Sequence, residues 1–204
     1  QEDILLGSAI AGRDQEETEH LIGCLINMLV LRTDLSGRPT FKELLERVKK
    51  TTLDAYSHQA FPFQKLVQKL NPPRLKGVNP FFQTAFGLQN APDPHPELPG
   101  LAIETIDLEG RECTYDLTVW AQEHPTGLMV DWSYRVELFN PQTIQTLAEN
   151  YHEVMKAVLD HPNLSINDIH TRSVSDKNPM SETRDENINT LKNKLLKARR
   201  RSRK

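Results

Sequence analysis

The segment at residues 20–37, HLIGCLINMLVLRTDLSG, limits what this chain can fold into more than any other stretch. Its middle, residues 26–31, is apolar and branched except for one carboxamide, a composition that predicts a strand buried on both faces of a covered sheet. Asn27 is the interruption. A carboxamide there must find hydrogen-bond partners or face a polar cavity, because leaving it unpaired in an apolar setting costs about 1–3 kcal/mol. Two readings are open: an Asn bonded to a neighbouring loop, or an Asn whose amide is offered to a cavity.

The flanking sequence supplies the rest of a layered domain. Residues 3–6 read as the end of a strand, residues 7–12 as a small-residue loop and residues 16–21 as a helical turn, with Ser36-Gly37 supplying a turn after the central strand. Thr40 and Glu43 fit a capping box, and Phe41, Leu44, Leu45, Val48, Thr52 and Ala55 repeat at three-and-four spacing behind it. The opposite face, Lys42, Glu46, Arg47, Lys49 and Lys50, reads as solvated. Pro62 opens a second helix with Phe63, Leu66, Val67 and Leu70 as its apolar stripe, and Asn71-Pro72-Pro73 stops it. Sheet patterning returns with a strand at 81–88, a Pro-rich connector at 90–100 and a weaker strand at 101–108.

A hairpin follows at 115–122 and 128–136, turning at residues 124–127. In its second arm Leu128, Val130, Trp132, Tyr134 and Val136 share the face predicted to be buried, and Asp131, Ser133 and Arg135 take the other. Asn140 as cap and Pro141 at the first position start the last helix, with Ile144, Leu147, Ala148, Tyr151, Val154, Met155 and Val158 on one side and His161-Pro162 at its end. Five sheet segments and three amphipathic helices joined by hairpins and crossovers define an α+β class, a mixed sheet with helices packed on it. The apolar content falls after Asn167. The expected division is a globular part at 1–168, a polar linker at 169–187 and a basic tail at 188–204, with Ile188, Leu191, Leu195 and Leu196 on one side of a helical or inter-module segment.

Charge is unevenly spread. Residues 192–204 carry eight basic side chains and no acid, and removing those from the net charge of −3 leaves −11 on the rest. An acidic body argues against a nucleic-acid surface, and no apolar run approaches the ~20 residues needed to cross a bilayer. Cys24 and Cys113 have no His or Cys at metal spacing, and a buried thiol is expected for Cys24, which suits a reducing, cytoplasmic setting. The first residue is Gln1, so a fragment or a processed chain is expected.

The residues also resemble a family. Ile22-Gly23, Ile26-Asn27 and residues 29–37, LVLRTDLSG, are similar to the fifth core motif of the condensation domains of nonribosomal peptide synthetases, IGxFVNTLVLRTDLSG, with Leu25 for Phe and Met28 for Thr. Residues 7–13, GSAIAGR, resemble the loop before that motif. Residues 58–63, HQAFPF, resemble the sixth, HQDVPFE, with Ala60 and Gln64 in place of acidic residues. The seventh, RDxSRNPL, keeps only Arg74 and Asn79-Pro80. The resemblance implies the C-terminal lobe of the two-lobed chloramphenicol-acetyltransferase-like fold, within a multimodular synthetase.

That family forms an amide bond between an acyl or peptidyl thioester and an aminoacyl thioester, each carried on the 4′-phosphopantetheine arm of a carrier protein. It is acyltransferase-type chemistry, and its HHxxxDG motif lies in the N-terminal lobe. Here the seven histidines, His20, His58, His95, His124, His152, His161 and His170, include no adjacent pair. There is also no Ser elbow and no Gly-rich phosphate loop. The expectation is therefore a chain inactive alone, supplying a tunnel wall and an acceptor-side surface to a missing N-terminal lobe, with carrier proteins and neighbouring modules as partners and no cofactor or metal bound directly.

Asn27 is the first catalytic candidate, as an uncharged donor to a thioester or amide oxygen. Asp116, in a Tyr-Asp-Leu-Thr run, resembles a family Asp near the tunnel, with a strand-end Asp bonding backbone amides as its alternative. Trp132 and Ser133 are weaker candidates, and His58 reads as a histidine at a helix C-terminus. The competing function is a non-catalytic recruitment module for carrier proteins or tailoring enzymes, and epimerisation and cyclisation domains compete within the superfamily.

Overall fold

The computed structural model describes residues 1–13, 15–75, 77–89, 100–101, 113–124 and 126–169. Most of the strand expected at 101–108, most of the 90–100 connector, and the linker and tail from 170 onward lie outside the described residues. Among the described residues five strands form one sheet: β1 (Asp3–Ile10), β2 (Asn27–Asp34), β3 (Thr84–Gln89), β4 (Leu117–His124) and β5 (Gly127–Tyr134), in the order β2-β1-β3-β4-β5. The β2–β1 and β4–β5 pairs are antiparallel, whereas β1–β3 and β3–β4 are parallel. The sheet is therefore mixed, as expected for the α+β class.

The helices follow the sequence closely. A four-residue turn, α1 (Glu16–Glu19), precedes the long helices α2 (Phe41–Tyr56), α3 (Phe63–Leu70) and α4 (Pro141–Asp160). Thr40 and Glu43 make the full capping box: the Glu43 amide donates to the Thr40 hydroxyl at 3.2 Å, and the Thr40 amide donates to the Glu43 carboxylate at 2.8 Å. The next two amides of α2, on Phe41 and Lys42, donate to the carbonyls of Leu164 and Pro162 at 3.1 and 3.0 Å. The segment after α4 thus satisfies donors that every helix start leaves bare. Asn71 ends α3 in the left-handed conformation, φ 40°. Asn140 precedes α4 without a side-chain cap; its main-chain carbonyl accepts from the Thr143 amide instead.

Aromatic rings hold the core together. Phe82, 1% exposed, packs with its ring tilted against Tyr115 at 5.1 Å and against Phe63 at 6.0 Å, and Phe63 meets Phe81 edge-on at 5.9 Å. The Phe82 ring lies directly over Gly7, where any Cβ would collide with it. Trp132 on β5 meets Tyr151 on α4 edge-on at 5.9 Å.

Several expectations are corrected. β2 is an edge strand whose one described partner is β1; Leu29 is its one fully buried residue and Ile26, just outside it, is exposed. Its apolar run answers to helices on one side rather than to cover on both. Residues 7–10 are strand, not loop, because β2 pairs with β1 as far as Ile10. Gly7 within that strand leaves room for the Phe82 ring. Leu45, Val48, Leu70, Leu128 and Val136 are exposed rather than buried, since no described element reaches their part of each stripe. Arg47 is not merely solvated: it donates to the Asp34 and Ser36 carbonyls at 2.9 Å each and ties α2 to the end of β2. Cys24 is exposed, because it sits in the connection leaving β1 rather than in a strand.

Candidate functional site

Asn27 opens β2 opposite Ile10, where the sheet edge meets the loop between α2 and α3. Its side-chain amide donates to the carbonyls of Gln59 and Phe61, both at 2.9 Å, and its side-chain oxygen accepts from the Phe63 amide at 3.0 Å. Phe63 is the first residue of α3, and the Pro62 before it has no side-chain oxygen with which to cap that helix. Asn27 supplies the missing cap from the strand, so one carboxamide joins the fifth motif to the sixth and aims Phe63 at the aromatic core. All three of its hydrogen-bonding groups are committed.

An open cleft of about 300 Å³ lies beside this joint. One wall is Cys24, Leu25 and Ile26; the other is Gln59, Ala60 and Pro62, and Asn27 lies between them. The first wall is fixed by the connection from β1 to β2. Arg13 donates to the carbonyls of Thr18 at 2.6 Å, Leu21 at 2.8 Å and Gly23 at 3.1 Å. Gly12, at φ +64°, lies so close under the Leu25 carbonyl that no Cβ fits. Sequence reading missed this pair; its trace was a Gly-Arg step closing a small-residue run.

The other motif residues have structural partners. Arg32 makes a two-pronged ion pair with Asp3, at 2.9 and 2.8 Å, across the β2–β1 pair, and this raises its pKa. The Ser36 amide donates to the Asp34 carboxylate at 2.8 Å, and this bond holds that carboxyl below its usual range. His58 Nδ1 lies 2.9 Å from the Asp54 carbonyl and 2.8 Å from the Ser57 hydroxyl. The Ser57 hydroxyl also donates to the Asp54 carbonyl at 2.7 Å, so the imidazole belongs to a local network at the end of α2. Asn79 accepts from the amides of Phe81 and Phe82 and so turns the chain into β3.

Asp116 is elsewhere. It is buried, its amide donates to Gln83 and its carbonyl accepts from Arg135, both at 3.0 Å. Through the strand register it lies level with Leu5, five residues along β1 from Ile10 and three strand spacings from Asn27. That separation is about 20 Å. The structure brings Asn27 and the His58 loop together and leaves Asp116 at the far end of the sheet. Trp132 belongs to the packing of α4, and Ser133 is exposed on β5. Burial pushes the Tyr115 hydroxyl pKa up. Among the described residues no group of three or more His, Cys, Asp or Glu could hold a metal ion, and no helix is long and apolar enough to cross a membrane.

Comparison with known proteins agrees with this geometry. A linear gramicidin synthase polypeptide of Brevibacillus parabrevis is 44% identical over 168 residues, covering 81% of this chain and 3% of that protein. Bacitracin synthase 1 of Bacillus licheniformis is 36% identical over 169 residues, covering 83% of this chain and 3% of that protein. Among solved structures, a chain from the complex of the X-domain and OxyB from teicoplanin biosynthesis superposes with a TM-score of 0.74 at 26% identity, covering 86% of this chain and 39% of that one. The chain thus spans a small part of the synthases it matches. A family model described as the condensation domain matches residues 1–180. With its motifs in order along β1, β2 and the α2–α3 loop, the chain belongs to the condensation-domain family.

Proposed function

We propose that this chain is the C-terminal lobe of an amide-forming condensation domain in a nonribosomal peptide synthetase. In this reading it supplies one side of the passage in which a carrier-bound acyl or peptidyl thioester meets a carrier-bound aminoacyl thioester. The observation that carries the reading is the meeting of the fifth and sixth motifs at one open cleft, joined by the three hydrogen bonds of Asn27. The chain contains no HHxxxDG motif, so the group that handles the attacking amine comes from an upstream lobe, and the chain alone is inactive. The exposed Leu21, Ile22 and Phe61, and Ile26 in the cleft lining, suit burial against that lobe. The 4′-phosphopantetheine arms enter as tethers of the substrates, and the setting is cytoplasmic.

Asn27 acts in this scheme as a positioning residue. Both of its amide protons are taken by main-chain carbonyls, so it serves the reaction by holding the cleft wall rather than by donating to an oxyanion. Asp116 supports the frame at the opposite end of the sheet. In the two-lobed domain, Asn27→Ala is expected to lower the rate of amide formation while the circular dichroism of the fold stays the same. Turnover equal to wild type would remove Asn27 from the functional residues.

A further inference from the structure

The connection leaving β1 crosses residues 11–26 before it returns as β2. A span that long, carrying only the four-residue α1, has little regular hydrogen bonding of its own. Its shape rests on Arg13. One guanidinium reaches three main-chain carbonyls, on Thr18, Leu21 and Gly23, spread over six residues. This uses the planar fork of arginine, whose donors point outward in fixed directions, and an ammonium group could not copy it. Gly12 completes the device, since only a residue without Cβ lets the returning Leu25 carbonyl pass so closely. The next residue back on that return is Cys24, and Cys24, Leu25 and Ile26 are the first wall of the cleft.

We propose that Arg13, seated by Gly12, is a positioning residue that sets the cleft wall at 24–26 against the Asn27-held wall at 59–62. The inference rests on the condensation reading for what passes through the cleft, but the clamp itself does not. Arg13 lines none of the cleft, so its effect comes through the fraction of molecules in which the wall is in place. Apparent affinity falls in proportion to that fraction, whereas saturating substrate draws the molecule back to the competent form. Loss of the clamp therefore raises KM for the carrier-bound substrate and leaves kcat near its starting value. Damage to the fold would lower kcat as well.

The test uses the two-lobed domain and two readouts. With Cys113 and any cysteine of the upstream lobe replaced by serine, a nitroxide on Cys24 reports the motion of the wall with no substrate present. Arg13→Ala is expected to sharpen the spectrum and to raise KM by about ten-fold with kcat nearly unchanged. Arg13→Lys should behave like Arg13→Ala, and added guanidinium ion should bring the alanine variant back towards wild type in both readouts. An unchanged nitroxide spectrum overturns the clamp. A sharpened spectrum with KM unmoved overturns the positioning role, and so does a fall in kcat that guanidinium does not repair. If the unsubstituted domain forms no amide at all, the condensation reading fails, and the nitroxide spectrum alone decides whether Arg13 holds the wall.

Discussion

Asn27 shows how a single polar side chain in an apolar strand can organise two motifs. Each of its bonds goes to a main-chain group of the α2–α3 loop or the first residue of α3. Asn27→Ala is expected to cost about 0.5–1.5 kcal/mol for each hydrogen bond lost, read as a lower urea midpoint. Asn27→Asp keeps the oxygen that caps α3 but turns a second oxygen on the Gln59 and Phe61 carbonyls, so it should cost at least as much. Gly7 makes the complementary point for packing. Its missing Cβ is the space occupied by the Phe82 ring, and Gly7→Ala should destabilise by about 1–3 kcal/mol through overpacking. A variant as stable as wild type would mean that the ring moves aside freely.

Among the elements, α2 depends most on groups far away in the chain. Its first two amides are satisfied by carbonyls of residues 162 and 164, and an Arg38–Asp168 ion pair at 2.8 Å lies alongside. The ion pair is exposed, so Arg38→Ala should change stability by no more than about 1 kcal/mol. Ending the chain after His161 removes both carbonyls and should cost more, about 0.5–1.5 kcal/mol for each bond. The capping box adds a pH dependence. The Thr40 amide and hydroxyl hold the Glu43 carboxyl below its usual range, so its folded pKa lies under the unfolded one. That contribution is complete above the unfolded value of about 4.3 and is lost as pH falls through the folded value. Wild type and Glu43→Gln should therefore differ in urea midpoint at neutral pH and converge in acid; a constant gap would contradict the assignment.

This contrast also explains what could be read from the sequence. The box of Thr40 and Glu43, the stripe of α4 and the β4–β5 hairpin are local, and periodicity announces each one. The cap that Asn27 gives α3, the carbonyls that residues 162 and 164 give α2, and the separation of Asp116 from Asn27 come from partners distant in sequence. No local pattern encodes them. The same limit explains the misreading of β2, since an apolar run shows that cover exists but not whether it lies on one side or both.

The whole molecule carries apolar surface that its own described residues do not cover. Ile22 is 105% exposed, and Leu21, Phe61 and the cleft-lining Ile26 are exposed as well. A surface of this kind marks an interaction site rather than a finished exterior. Adding the upstream lobe in trans should raise the unfolding midpoint, through a stability gain of about 2.7 kcal/mol once the lobe is a hundred-fold above its Kd. Ile22→Glu should remove that gain without changing the midpoint of the chain alone.

The proposed function carries the same dependence into the chemistry. Acyl and aminoacyl groups, each loaded on its carrier protein, should be mixed with the chain alone and with the chain joined to its upstream lobe, and the amide product followed by mass spectrometry. The account predicts amide only in the joined form, and only while the upstream histidine motif is intact. Equal product from the chain alone, or none from the joined domain with that motif in place, would contradict it.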